Sequence, residues 1–128
     1  MEALVIACGG VIGALGRYGI GIIWPTPANG FPLSTLFINL LGSFVIGFIA
    51  EESRLHDVDP RVVLFVKVGL CGSFTTFSTF SLETFRLAEG GRYGLATCYA
   101  LVSIIACLVG VGAGVAVARI IKTSTGLN

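Results

Sequence analysis

Charge is what this chain has least of. Only 12% of its 128 residues are Asp, Glu, Lys or Arg, whereas a soluble domain carries roughly a quarter. From Tyr18 to Ala50 there are 33 consecutive residues with none of the four, and from Tyr93 to Ala118 another 26. A water-facing surface cannot be built from such stretches, so a soluble globular class is excluded. The other scarcities exclude more. The one histidine, His56, lies in a polar segment, which leaves an intramembrane enzyme without the His, Asp or paired nucleophile it would need at depth. The four cysteines, Cys8, Cys71, Cys98 and Cys107, match no zinc or Cys-x-x-Cys spacing and are expected to be buried free thiols. Glu2 stands where a basic n-region would be, and a second apolar run follows the first at once. The first run therefore reads as a span rather than a signal peptide.

What is present is apolar residue, 55% of the chain, with a mean hydropathy of +0.94. A helix needs roughly 20 such residues to cross the hydrocarbon core of a bilayer. Charges and chain breakers place four spans, at about 4–23, 32–50, 62–87 and 94–120. A turn-rich segment from Trp24 to Gly30 separates the first pair, with Pro32 opening the second helix. Residues 51–61 read as a water-exposed loop, and 88–92 as a short turn. The expected fold is an all-α membrane protein, a single four-helix domain over residues 1–128 with both termini on one side. Eighteen glycines include Gly9 and Gly13 of the first span and a ridge of Ala106, Gly110, Gly114 and Ala118 in the fourth. Small ridges let helices approach closely in lipid. Four short helices enclose little interior, so a pathway forms more readily between two copies and a homo-oligomer is expected. Five basic residues (Arg54, Arg61, Lys67, Arg119, Lys122) fall on the side of the termini and three (Arg17, Arg86, Arg92) on the other. So small a bias permits insertion in both orientations.

Polar residues inside the spans carry the functional reading. Arg17 lies in the first span, where an Arg at the centre costs about 2.5–3.5 kcal/mol; it either snorkels to the interface or faces a water-filled vestibule. Asn39 needs hydrogen-bond partners at mid-span, and Thr35 sits one turn before it on the same face. Tyr99 and Ser103 share a face of the fourth span. The densest cluster is Gly72 to Ser81, in which six of ten residues bear hydroxyls and three are Phe. The third span holds about 26 residues, or about 39 Å of helix against roughly 30 Å of hydrocarbon, which leaves room for a break near Gly72 to Thr76. Freed carbonyls at such a break can bind a cation, and Phe77 and Phe80, three apart, can turn positive ring edges to a small anion. The competing reading has the rings facing lipid and the hydroxyls bonding back to their own helix. Composition and spacing leave both open.

The run from Gly72 through TTFSTFS to Glu83 closely resembles the signature of the Fluc (CrcB-type) fluoride channels of bacteria. Arg17, Asn39, Tyr99 and Ser103 extend the resemblance along the whole chain. It implies an antiparallel, dual-topology homodimer in the inner cell membrane, with two pathways that export fluoride passively. It implies that Phe77 and Phe80 line the pore, that Asn39 donates to the ion, and that Thr76, Tyr99, Ser103 and Glu83 belong to the polar pathway. Arg17 keeps a structural or electrostatic role. A structural sodium ion held by backbone carbonyls of Gly72 and Thr75 from both subunits is implied too. The implied partners are fluoride, a second copy and lipid, and not nucleic acid. Ser73 replaces a glycine frequent in the family, and Cys107 stands where serine continues the track in some relatives. A small multidrug-type transporter is the alternative four-helix reading; it needs a carboxylate in the first span, where this chain has Arg17.

Overall fold

The computed structural model describes residues 1–27 and 30–125. Helix α1 runs Glu2–Ile23 and α2 runs Leu33–Leu55. The third span is composite. Its first part, α3 (residues 60–74), starts as an α-turn at Pro60–Val63, widens to a π-helix over Leu64–Cys71 and closes with Gly72–Phe74. Its second part is α4, Phe77–Glu89, and a long helix, α5 (Tyr93–Thr125), completes the chain. There is no strand among the described residues. Four segments are long and apolar enough to cross a membrane: Glu2–Ile23, Leu33–Leu55, Pro60–Glu89 and Tyr93–Ser124. Ala28 and Asn29 of the first turn lie outside the described residues.

Local chemistry sets the boundaries. The Asp59 side chain accepts the Arg61 N–H at 2.8 Å, with Pro60 in the first turn of α3, a favoured N-terminal pairing. Thr76 caps α4 by accepting the Thr79 N–H at 3.1 Å. At the other end of α4, Gly91 takes a φ of 75°, which glycine adopts without penalty, and the chain reverses into α5.

Packing follows the small residues. Helices α2 and α5 share the largest interface, and α1 lies along the π-helical part of α3. Gly110 and Gly114 of α5 sit against Leu40 and Phe44 of α2, while Gly47 of α2 meets the Val111 backbone. A Cβ at Gly47 would run into the Val111 backbone and one at Gly114 into the backbone of Phe44 and Phe48, so the glycines set the helix separation. Gly9 and Gly13 of α1 likewise meet the backbone of Phe65 and Leu70. A compact cluster of Leu87, Ala96 and Tyr99, joined by Phe31, Leu36 and Phe80, fills the space between α4, α5 and the start of α2. Leu101, Ile104, Ile105 and Leu108 leave an apolar face of α5 open, a surface suited to lipid or to another copy.

Two expectations need correction. Residues 51–55 are not loop: α2 continues to Leu55, and Glu51 is buried at 6% exposure. Its carboxylate accepts hydrogen bonds from Arg54 and from Arg119 Nε, the latter at 2.8 Å across the α2–α5 interface, so the charge run belongs partly to a helix end. The four thiols are free, but only Cys71 is buried; Cys8 and Cys98 are exposed and Cys107 is half-buried. In lipid, the outside of a helix is as good a place for a small apolar group as the inside.

Candidate functional site

The break in the third span lies at Thr75 and Thr76, both extended, with ψ of 157° and 110°. Helix α2 holds it in place. Asn39 Nδ2 donates to the Thr76 carbonyl at 3.2 Å, and Asn39 Oδ1 accepts the Thr76 N–H at 2.8 Å. The amide thus replaces the helical partners that the break removes, as irregular backbone at membrane depth requires. Three residues on, Gly42 gives the Thr75 methyl room against α2, and a Cβ there would overlap it.

Among the described residues, the break leaves the carbonyls of Gly72, Ser73, Phe74 and Thr75 without the N–H partners that a continuous helix would supply. In a continuous helix the Thr76 N–H would go to Gly72 O and the Thr79 N–H to Thr75 O. The first goes instead to Asn39 and the second to Thr76 Oγ1. Gly72 itself is helical, with φ −61° and ψ −32°. Among the described residues no cluster of His, Cys, Asp or Glu could hold a metal.

The hydroxyls of the cluster divide into two groups. Thr75 Oγ1 donates to Cys71 O at 2.9 Å, Ser81 to Phe77 O and Thr84 to Phe80 O, both at 2.8 Å; these bond back to their own helix. Thr76 Oγ1 caps α4 and also donates to Thr79 Oγ1 at 3.0 Å. The rings of Phe77 and Phe80 are neighbours, with centroids 5.5 Å apart and planes tilted by 44°. Phe80 packs on Tyr99 at 5.3 Å, whereas Phe77 is 78% exposed.

Behind the rings runs a polar track. Glu83 accepts the Thr35 hydroxyl at 2.9 Å on one oxygen and the Tyr99 hydroxyl at 2.7 Å on the other. One turn beyond Tyr99, the buried Ser103 hydroxyl has no hydrogen-bond partner among the described residues. Arg17 is half-buried and lines a cavity of about 250 Å³ together with Thr35, Thr79 and Glu83. A second cavity, of about 330 Å³, is walled by Asn39, Thr76, Phe77, Phe80, Gly72 and Thr75. The structure therefore brings nearly every site residue expected from the sequence into one region, on the walls of these two cavities and along the Glu83–Tyr99–Ser103 line. Sequence reasoning passed over Gly42, for which a glycine three residues after Asn39 was the available signal, and Lys67, which also lines the second cavity.

A family model described as CrcB-like protein, Camphor Resistance (CrcB), matches residues 4–115. The chain belongs to the CrcB-like family. It is 40% identical over 122 residues to a protein of Elusimicrobium minutum, covering 94% of this chain and 95% of that one. It is 44% identical to one of Citrifermentans bemidjiense, with 93% and 98% covered, and 45% identical to one of Thermus thermophilus, with 79% and 82% covered. Each of these relatives is named as the fluoride-specific ion channel FluC. With its four apolar helices, this member of the family is a multi-pass membrane protein.

Proposed function

We propose that this chain is a fluoride-selective ion channel of a bacterial cell membrane, lowering internal fluoride by passive export. The observation that carries the reading is the Phe77–Phe80 ring pair beside the Asn39–Thr76 junction on one cavity wall. It occurs in a chain 40% to 45% identical to proteins named as fluoride-specific channels. The multidrug-type alternative has no support of this kind, and the carboxylate of the track, Glu83, lies in α4 rather than α1.

Fluoride leaving water gives up strong hydrogen bonds, and an aliphatic wall returns none of them. The Asn39 amide has a second N–H beyond the one given to Thr76, Ser103 has an uncommitted hydroxyl, and the Phe77 and Phe80 edges offer weak positive potential between such donors. Thr76, Tyr99 and Glu83 order the track, and Arg17 supplies positive charge at a cavity along it. The four helices work as a single transmembrane domain. The open Phe77 of one protomer supports a pathway completed by a second copy, and the small bias of basic residues between the two sides supports an antiparallel, dual-topology homodimer.

The released carbonyls of Gly72 and Thr75 are suited to sodium, an oxygen-seeking cation that would fix the two breaks against each other. A Cβ at Gly72 meets only Lys67 O, at 3.8 Å, so one protomer has room for the methyl of Gly72→Ala. Failure of that variant to dimerise or conduct would report on the partner copy and the ion, and activity or stability indifferent to sodium over lithium or potassium would remove the ion from the reading. The deciding experiment is efflux from liposomes bearing purified protein: fluoride leaves, while chloride and quaternary amines stay. Equal chloride flux, or amine transport, would overturn the proposal. For topology, a C-terminal reporter should appear on both faces of the membrane, and three added lysines at the C-terminus should drive it to one.

A further inference from the structure

The third span carries a charge that nothing above employs. Lys67 lies in the π-helical segment Leu64–Cys71, eight residues before Thr75 and toward one end of the span Pro60–Glu89. It is half-buried and makes no ion pair among the described residues. Of the other basic residues on the side of the termini, Arg54 and Arg119 are tied to Glu51, Arg61 is exposed at the start of α3, and Lys122 lies in the last turn of α5. Lys67 and Cys71, close to one π turn apart, both line the cavity that Asn39, Thr76, Phe77 and Phe80 also line. An ionisable residue at membrane depth is expensive, and such residues mark ion pathways. A cleft with low-dielectric walls focuses the field of a charge placed in it.

Resting on the fluoride-channel reading, we infer that Lys67 is the anion-collecting residue at one mouth of the pathway. Its ammonium raises the local fluoride concentration in the cavity ahead of the Phe77–Phe80 rings. Arg17, in the cavity beside Glu83 and Thr35, is set at another part of the track. Lys67 acts on entry and contributes no hydrogen bond to the narrow part.

The test compares wild type with Lys67→Met, which keeps the apolar stem, Lys67→Gln, and Lys67→Arg, which keeps the charge. Fluoride flux is measured in liposomes from size-verified protein. Sodium is held constant while ionic strength is raised with a salt of impermeant organic ions. At about 0.01 M the Debye length is roughly 30 Å, and at 0.15 M about 8 Å. Lys67→Met and Lys67→Gln should lose roughly 3- to 10-fold in flux at the low value and approach wild type at the high one, with Lys67→Arg close to wild type throughout. Wild-type flux in both neutral variants at low ionic strength would overturn the inference. So would a loss that ignores ionic strength, or Lys67→Arg faring no better than Lys67→Met. A merely snorkelling lysine gives the first of these results. Absence of fluoride flux from the wild type is a different failure, that of the channel reading itself.

Discussion

Glu51 and Glu83 are both carboxylates drawn into the helix bundle, and they are held in different ways. Glu51 sits near the end of α2 with two guanidinium groups on it, Arg54 and Arg119. Glu83 sits in α4 with two hydroxyls on it, Thr35 and Tyr99. Charge on charge makes a clamp that is strong in one geometry. A hydroxyl can rotate, donate in one direction and accept from another, so a hydroxyl-held carboxylate belongs to a chain of bonds that can be rearranged. The comparison teaches that the Glu51 end is organised for staying put, while on the fluoride-channel proposal the region from Asn39 to Ser103 exchanges partners with an ion. Substitutions at the first should register as stability, and at the second as flux.

The largest effect should come from the rings. Ile at Phe77 or Phe80 keeps bulk and apolarity and removes the ring quadrupole. Each of Phe77→Ile and Phe80→Ile is expected to cut fluoride flux by tenfold or more, equivalent to about 1.4 kcal/mol on the barrier, in protein that still inserts and dimerises. Met, flexible and polarizable, should be tolerated better. Because Phe80 also packs on Tyr99, its Ile variant should lose some thermal stability, while Phe77→Ile should lose almost none. Full flux in both Ile variants would place the rings in packing and erase the contrast between the two regions.

Asn39→Ala comes next and should register in both quantities. It strands the N–H and C=O of Thr76, and an unsatisfied buried group costs about 1–3 kcal/mol. Asn39→Asp retains the acceptor and loses the donor, so it should fall between Ala and wild type in melting midpoint. The ordering is checked by thermal unfolding in detergent alongside flux.

Glu83→Gln is the more direct probe of the comparison. Thr35 and Tyr99 donate to the two oxygens at 2.9 and 2.7 Å; the amide turns one acceptor into a donor facing a donor. One hydroxyl must rotate away, at about 1 kcal/mol, and the track loses its negative charge. Flux should drop several-fold with little change in midpoint. A large midpoint loss with unchanged flux per dimer would make Glu83 a clamp like Glu51.

How much of this was legible in the sequence follows from range. The four spans were, because gaps between charges are a local property, and so was the break, because hydroxyls and glycine gather where helical bonds are interrupted. The pairing of Tyr99 with Ser103 on one face followed from spacing alone. The Glu51 clamp was not legible, since Arg119 lies 68 residues away and a mixed charge run looks like a loop until its partner is known. The π-helix left no sign in composition; it lies where α1 brings Gly9 and Gly13 against Phe65 and Leu70, a contact between distant segments. Lys67 was counted as a flanking charge of the second loop because the span was read as starting only a few residues before it. Burial of the cysteines failed as a forecast because hydropathy cannot tell the inside of a bundle from its lipid face.

The smallest expected effect on transport belongs to Glu51→Gln, and it tests the other half of the comparison. The side chain is 6% exposed, so its carboxylate depends on Arg54 and Arg119 for partners in place of water. Glutamine keeps the volume and one acceptor oxygen but sets an NH2 group against guanidinium donors. Those guanidinium side chains are 64% and 60% exposed, so both can turn to solvent, and solvent screening limits what the pairs contribute. The melting midpoint should therefore fall modestly, and by less at high salt, where the wild-type pairs are already screened. Flux per assembled dimer should stay at the wild-type value. Arg119→Met should reproduce the midpoint shift, and the double variant should lose less than the two singles together, since both remove the same contact. If instead Glu51→Gln slowed fluoride at an unchanged midpoint, the carboxylate clamp would be part of the pathway, and the division between a region that holds and a region that conducts would fail.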